Sequence, residues 1–252
     1  MLISSSEPIV TAKTYLEYKR AKGHIDDSIA PETVLVCYQS STMQYLLRHH
    51  PELKPFQPVT HCYLCPGATV GILGDWGVGA PGLAVKMEEL IFLGTKRFIA
   101  VGTAGELMST HQIGDFILCP KALAEDGVAH LYLPHGQQTV DADQEMLLEW
   151  ADFTKKRSLP PFRLGMAWSF PAIFRETLAD VYRVQSLGCS VVEMEAATLY
   201  AIGQEKRVQT LSLFVITDSI TEETWTPHIK EPAVRDNLHK LADWALEFCF
   251  KL

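Results

Sequence analysis

The chain has 252 residues, 47% of them hydrophobic and 21% charged, with a formal net charge of −8. That is enough apolar chain for one large core, and an acidic balance with 22 scattered Lys and Arg excludes nucleic acid and anionic membrane surfaces as expected partners. No apolar run approaches the roughly 20 residues that span a bilayer, and "MLISSSEPIV" lacks the basic start and apolar centre of a secretory signal, so a cytoplasmic location is expected.

In chain order, strands are expected over 33–38 ("TVLVCY"), 61–64, 69–73, 97–102, 115–120, 163–168 and 211–217. Helices are expected over 80–94, 141–158, 174–187, 191–206 and 231–250. Most of the strand runs are too continuously apolar to alternate, which points to a sheet covered on both faces. Strands alternating with helices predict an α/β fold with a mixed, largely parallel sheet. No linker, repeat or low-complexity tract divides the chain, so 1–252 reads as a single domain.

Six cysteines stand at Cys37, Cys62, Cys65, Cys119, Cys189 and Cys249. Several fall inside apolar strand runs, where free thiols pack as small hydrophobes. Cys62 and Cys65 form one CxxC, but no second pair follows at zinc-site spacing, so no metal is expected.

The run "VVEMEAATLYAIG" (191–203) sets two glutamates in an apolar segment. At 100° per residue, Val192, Glu195, Ala196, Leu199 and Ile202 share one helix face, so Glu195 follows the apolar stripe inward. A buried carboxylate costs several kcal/mol unless it is paired or hydrogen-bonded. Three accounts are open: a ligand site, a buried pair with an arginine, or a frayed helix start that leaves both glutamates wet. Two further features bear on the choice. The strand "LSLFVIT" delivers Asp218 and Ser219 at its carboxyl end, where open α/β sheets bind ligands. The strand "FIAVG" runs into "GTAG", a small-residue turn in which Gly102 permits close backbone approach and Thr103 offers a hydroxyl.

The segments "GDWGVGAPGLAVKMEELIFLGTKRFIAVGTAGEL" (74–107), "IGDFILCPKALAEDG" (113–127), "VVEMEAATLYA" (191–201) and "VITDSI" (215–220) together resemble the nucleoside phosphorylase-I family. That family includes purine nucleoside phosphorylases, uridine phosphorylase and the methylthioadenosine/S-adenosylhomocysteine nucleosidases. The resemblance implies a single α/β domain of three layers around a central mixed, partly barrel-like sheet. It also implies homo-oligomers (dimers, trimers or hexamers) that share active-site residues, a nucleoside substrate, and no metal or organic cofactor.

The family's chemistry cleaves an N-glycosidic bond through an oxocarbenium-like state. By resemblance, Glu195 accepts hydrogen bonds from the ribose 2′- and 3′-hydroxyls, Met194 packs on the sugar, and Glu193 is the more structural neighbour. Asp218 matches the acid toward N7 of a purine, and no Gln-x-Arg pattern for reading uracil follows "LGMAWSF". Phe170 or Phe174 supplies a stacking surface for the base, or else packs in the core. His24 resembles a histidine that a neighbouring subunit places near the ribose 5′-hydroxyl; a solvated loop histidine is its alternative.

The phosphate site departs from the family pattern. The arginine of the first loop is missing from "CYQSSTMQYLL", and Ala100 stands where a second arginine precedes the "GT-x-G" turn. Each lost charge-assisted contact is worth about 1.5–3 kcal/mol per hydrogen bond. Gly102, Thr103 and an Arg48 brought from a neighbouring subunit are the remaining phosphate candidates, and Gln39, Ser40, Ser41 and Thr42 offer polar groups to an anion or a water. Trp76 either narrows the pocket or caps the core. Phosphorolysis of a purine nucleoside, with inorganic phosphate as co-substrate, is the first expectation. A hydrolytic nucleosidase and a non-catalytic nucleoside-binding relative are the alternatives.

Overall fold

A computed structural model describes residues 8–221 and 224–252. Most of the opening segment read for a secretory signal, residues 1–7, lies outside the described residues. The first half of the chain runs α1 (Ala12–Ala21), β1 (Thr33–Cys37), α2 (Ser40–His49), β2 (Lys54–Pro55), β3 (Cys62–Leu64), β4 (Val70–Gly74), α3 (Ala80–Phe92) and β5 (Arg97–Glu106). It continues through β6 (Phe116–Cys119), β7 (Lys121–Ala124), β8 (Thr139–Asp141), α4 (Gln144–Lys156), β9 (Phe162–Leu164), β10 (Ala167–Ser169) and α5 (Leu178–Ser186). The last third holds β11 (Val191–Glu193), α6 (Ala196–Lys206), β12 (Gln209–Thr221), β13 (Thr224–Pro227) and α7 (Pro232–Cys249).

The apolar runs centre the sheet as expected. Every residue of β1 is buried, and β1 lies parallel between β4 and β5. The ten-residue β5 is the hub. It pairs in parallel with β1 and β12 and, near its end, antiparallel with β11. One branch continues β11–β10–β7–β8 and the other passes through β12 to β6 and β9. The sheet is mixed, and among the described residues no ladder closes it: the two branches meet again through the chain at Pro120, between β6 and β7. Two helix groups complete three layers: α7 with α2, and α6 with α3 and α1. Among the described residues no helix is long and apolar enough to cross a membrane, and the six cysteines are free and buried.

Several expected boundaries are corrected. The helix expected over 191–206 begins only at Ala196, and Val191–Glu193 is a strand paired in parallel with β10. Two β-branched valines with a β10 edge beside them favour a ladder over a helical turn. Residues 102–105 are not a turn: β5 runs through them to Glu106. Likewise Asp218 lies within β12 rather than at its end. The run 163–168 is divided between β9 and β10 near Gly165, where a side chain would sit 2.8 Å from Ile117 Cγ2. The polar stretch read as a loop over 37–44 enters helix α2 at Ser40.

Helix α6 is buried from Ala196 to Gly203, and its close seating against β12 depends on a missing side chain. A Cβ at Gly203 would lie 2.7 Å from Thr210 Cγ2 and 3.0 Å from the Val208 carbonyl. Gly203→Ala is expected to cost about 1–3 kcal/mol through overpacking, read as a fall in Tm of roughly 3–10 °C in a thermal melt.

Candidate active site

The β11–α6 junction carries both buried glutamates. Glu193 ends β11 at 6% exposure. One of its oxygens accepts from the backbone N–H groups of Glu195 and Ala196 at 2.7 Å each; the other accepts from the Ser169 hydroxyl at the end of β10. The Ser169 oxygen in turn accepts from the Ala197 N–H at 2.9 Å. Glu193 and Ser169 therefore supply acceptors to the otherwise unpaired donors at the start of α6.

Glu195, 5% exposed, stands at the N-cap of α6 with a non-helical φ of −140°. Its Oε1 accepts from the backbone N–H of Gly79, which is the N-cap of α3. Gly79 holds φ +102°, a conformation that favours glycine. The positive end of α3 is thus turned on this carboxylate. Among the described residues no arginine pairs with Glu195, and at 5% exposure it is buried rather than wet. Its place on a shared helix face is corrected too, since the helix starts after it.

Burial pushes Glu195 up to about 8, and the charge of Glu193 adds to the effect. Burial also pushes Glu193 up to about 7, against the hydrogen bonds from Ser169 and from the Glu195 and Ala196 amides.

Beside these groups lies a cavity of about 670 Å³ lined by Tyr38, Gln39, Thr103, Gly105, Phe174, Glu176, Val192, Glu193, Met194, Glu195, Thr217, Asp218 and Trp225, among others. Asp218 reaches it through a register shift between β12 and β5, where Thr217 is the extra residue; such a bulge re-aims the side chains around it. Asp218 Oδ1 accepts from the Thr217 hydroxyl and Oδ2 from Trp225 Nε1, both at 2.8 Å. Gly105 makes this closeness feasible, because a Cβ there would lie 3.0 Å from Val192 Cγ1 and 3.2 Å from Asp218 Oδ2. Glu176, which precedes α5, also lines the cavity; burial and the charge of Asp218 push it up to about 7.

Of the residues singled out in the sequence, the structure gathers Asp218, Glu195, Met194, Glu193, Thr103 and Phe174 around one space. Phe174 is 95% exposed, a free ring at the cavity wall. Phe170 instead stacks on Trp168, with centroids 4.5 Å apart, and does not line the cavity. Ser219 and Gly102 do not line it either; the bare Gly102 leaves room for the Tyr38 ring, which would lie 2.9 Å from a Cβ there. His24 and Arg48 are exposed and outside this chain's cavity. Ala100 is fully buried in β5. Ser40 bonds Asp75 at 2.5 Å and Thr42 is buried in α2, so Gln39 alone of that polar run reaches the cavity. Trp76 packs on the core beside Gly82 and Tyr38, which makes it a cap.

Glu176, Tyr38, Thr217 and Trp225 carry no local sequence signal of a site. Among the described residues no cluster of three or more His, Cys, Asp or Glu is placed to hold a metal ion.

A three-layer α/β domain that holds four carboxylates around a large cavity is built as an enzyme. Residues 40–248 match the Phosphorylase superfamily, and the chain belongs to that family. It is 31% identical over 176 residues to a DeoD-type purine nucleoside phosphorylase of Lactococcus lactis subsp. cremoris (strain MG1363), covering 68% of this chain and 72% of the relative. Its fold is similar to that of the Toxoplasma gondii purine nucleoside phosphorylase, with a TM-score of 0.76 and 16% identity over 98% of this chain and 97% of the other. It is also similar to that of the Campylobacter jejuni 5′-methylthioadenosine/S-adenosyl homocysteine nucleosidase, with a TM-score of 0.74 and 15% identity over 88% and 100%.

Two buried carboxyls pushed upward have a consequence for stability. Unfolded, they ionise near 4.5; folded, they hold their protons to about 7 and about 8. The folded state binds more protons across that window, so the stability they contribute is present below 4.5 and lost as pH rises to about 8. Thermal melts are expected to show Tm falling across this range, by roughly 5 °C or more, and Glu195→Gln should flatten part of the fall.

Proposed function

We propose that this chain cleaves the N-glycosidic bond of a purine-type nucleoside. The observation that carries the reading is the meeting of Glu195 and Asp218 in one cavity with Phe174 on its wall. In this reading Glu195 accepts hydrogen bonds from two sugar hydroxyls. A carboxylate suits this task because it only accepts and can serve two donors. Met194 lies against the sugar, Phe174 stacks on the base, and the negative carboxylates favour the charge that develops on the sugar as the base departs.

The leaving base needs a proton. Both Asp218 oxygens already accept hydrogen bonds, as a carboxylate does, while Glu176 is held up to about 7 partly by the Asp218 charge. Glu176 therefore holds a proton up to about 7 and, with Asp218 in the same cavity, is the source of the proton for the base. The reading requires no metal or organic cofactor. The family acts by phosphorolysis or hydrolysis of nucleosides, and the purine specificity draws support from the names of the relatives. Assembly as a homo-oligomer belongs to the same proposal, with exposed His24 and Arg48 as the residues that a neighbouring copy would bring to the site.

The experiment is base release from inosine, guanosine, adenosine, methylthioadenosine and uridine, followed by chromatography. Purine release with little from uridine is expected; release from uridine alone would overturn the purine assignment. Asp218→Asn is expected to lower kcat by about 100-fold or more. Glu195→Ala should weaken nucleoside binding by about 100-fold or more in a titration, as two charge-assisted hydrogen bonds are lost. Because the acid works protonated, kcat should fall as pH rises through about 7, and Glu176→Gln should move or remove that limb.

A further inference from the structure

The β12–β13 hairpin carries a side chain that the reading above does not use. Of the five tryptophans in the chain, Trp150 and Trp168 are fully buried, and Trp76 and Trp244 pack against the core. Trp225 does neither: it is 56% exposed, and its ring joins no hydrophobic core cluster. An indole left that open gains little from burial, so core packing does not account for it. Strand geometry says where it points. Across the hairpin Ile220 pairs with Trp225, Ser219 with Thr226 and Asp218 with Pro227. Side chains two apart on a strand share a face, so Asp218, Ile220 and Trp225 stand together, while Ser219 and Thr226 stand on the other side. The cavity lining agrees, taking the first three and neither of the last two. Asp218 lies diagonal to Trp225, a separation that a long aromatic side chain spans, and Trp225 Nε1 donates to Asp218 Oδ2 at 2.8 Å.

Resting on the glycosidic cleavage proposed above, we propose that Trp225 is a positioning residue of the reaction, its indole N–H fixing the rotation of the Asp218 carboxyl group toward the base. An indole N–H only donates, so Oδ2 is fixed as an acceptor. The Thr217 hydroxyl at Oδ1 can donate or accept. One oxygen of Asp218 is thus locked, and the other keeps an adaptable partner for the exchange of donors when a base binds. Behind Oδ2 stands the bare Gly105, where a Cβ would lie 3.2 Å away, so no side chain there holds the group. Trp225 supplies that restraint from the hairpin. The same restraint keeps the Asp218 charge beside Glu176, whose proton that charge and burial together retain.

The test has two readouts on the unaltered chain, Trp225→Phe, Asp218→Ala and the double variant, their folding checked by thermal melts. The first is kcat and KM for base release from whichever of inosine, guanosine and adenosine reacts fastest. Phenylalanine keeps an aromatic wall and removes the donor, so Trp225→Phe should lower kcat about 10-fold with KM changed far less. On the Asp218→Ala background the same change should cost nothing further. The second readout is tryptophan emission of the free protein, which reports the contact without turnover. Asp218→Ala should shift the emission, and the shift should vanish when Trp225 is Phe. Unchanged kcat in folded Trp225→Phe would overturn the positioning role, as would an equal loss with and without Asp218. Emission unmoved by Asp218→Ala would overturn the contact itself. No base release by the unaltered chain would overturn the cleavage reading, and the positioning role with it, whatever the emission shows.

Discussion

The cavity depends on burying two carboxylates two residues apart. Each alone would cost several kcal/mol in an apolar interior without compensation. The chain compensates by placing each at a helix start: Glu193 under the first amides of α6, and Glu195 against the Gly79 amide that opens α3. Helix termini carry unpaired donors and a partial positive charge. One arrangement thus satisfies amides that need acceptors and carboxylates that need donors. It also ties β10, β11, α3 and α6 together through Ser169, Glu193 and Glu195, so the site and the core share the same hydrogen bonds.

The compensation is incomplete, and that incompleteness suits the chemistry. Glu195 keeps oxygen capacity for a ligand and is pushed up to about 8 in the free protein, chiefly by burial. Sugar hydroxyls donating to it would stabilise its charged form, so ligand binding and ionisation reinforce each other. At Asp218 the surroundings differ: it accepts hydrogen bonds from Thr217 and Trp225, and its charge helps keep the proton on Glu176. Environments of unlike character allow acids of similar intrinsic strength to take different roles.

Where local pattern and tertiary context disagreed, the reasons are specific. Val191–Glu193 reads as the start of a helix because the apolar spacing of "VVEMEAATLYAIG" continues through it, yet the edge of β10 claims it as a strand. Gly102 and Gly105 read as a turn, but both sit inside β5 and serve close packing against Tyr38, Val192 and Asp218. Phe170 and Phe174 are equivalent as letters; one stacks on Trp168 and the other stands free at the cavity. Glu176 and Tyr38 carried no local signal, since a glutamate before a helix and a tyrosine after a strand are ordinary features.

By itself, the sequence determined the α/β class, the central strands and the chemical character of the site. Continuous apolar runs need a sheet covered on both faces, and acids set among apolar residues need unusual partners. Only the tertiary structure decided who those partners are. The donor to Glu195 lies 116 residues away, and the bulge that aims Asp218 arises from pairing with β5. Hydrogen-bond satisfaction is a relation among groups brought close in space, and residue order constrains it weakly once the partners come from separate elements.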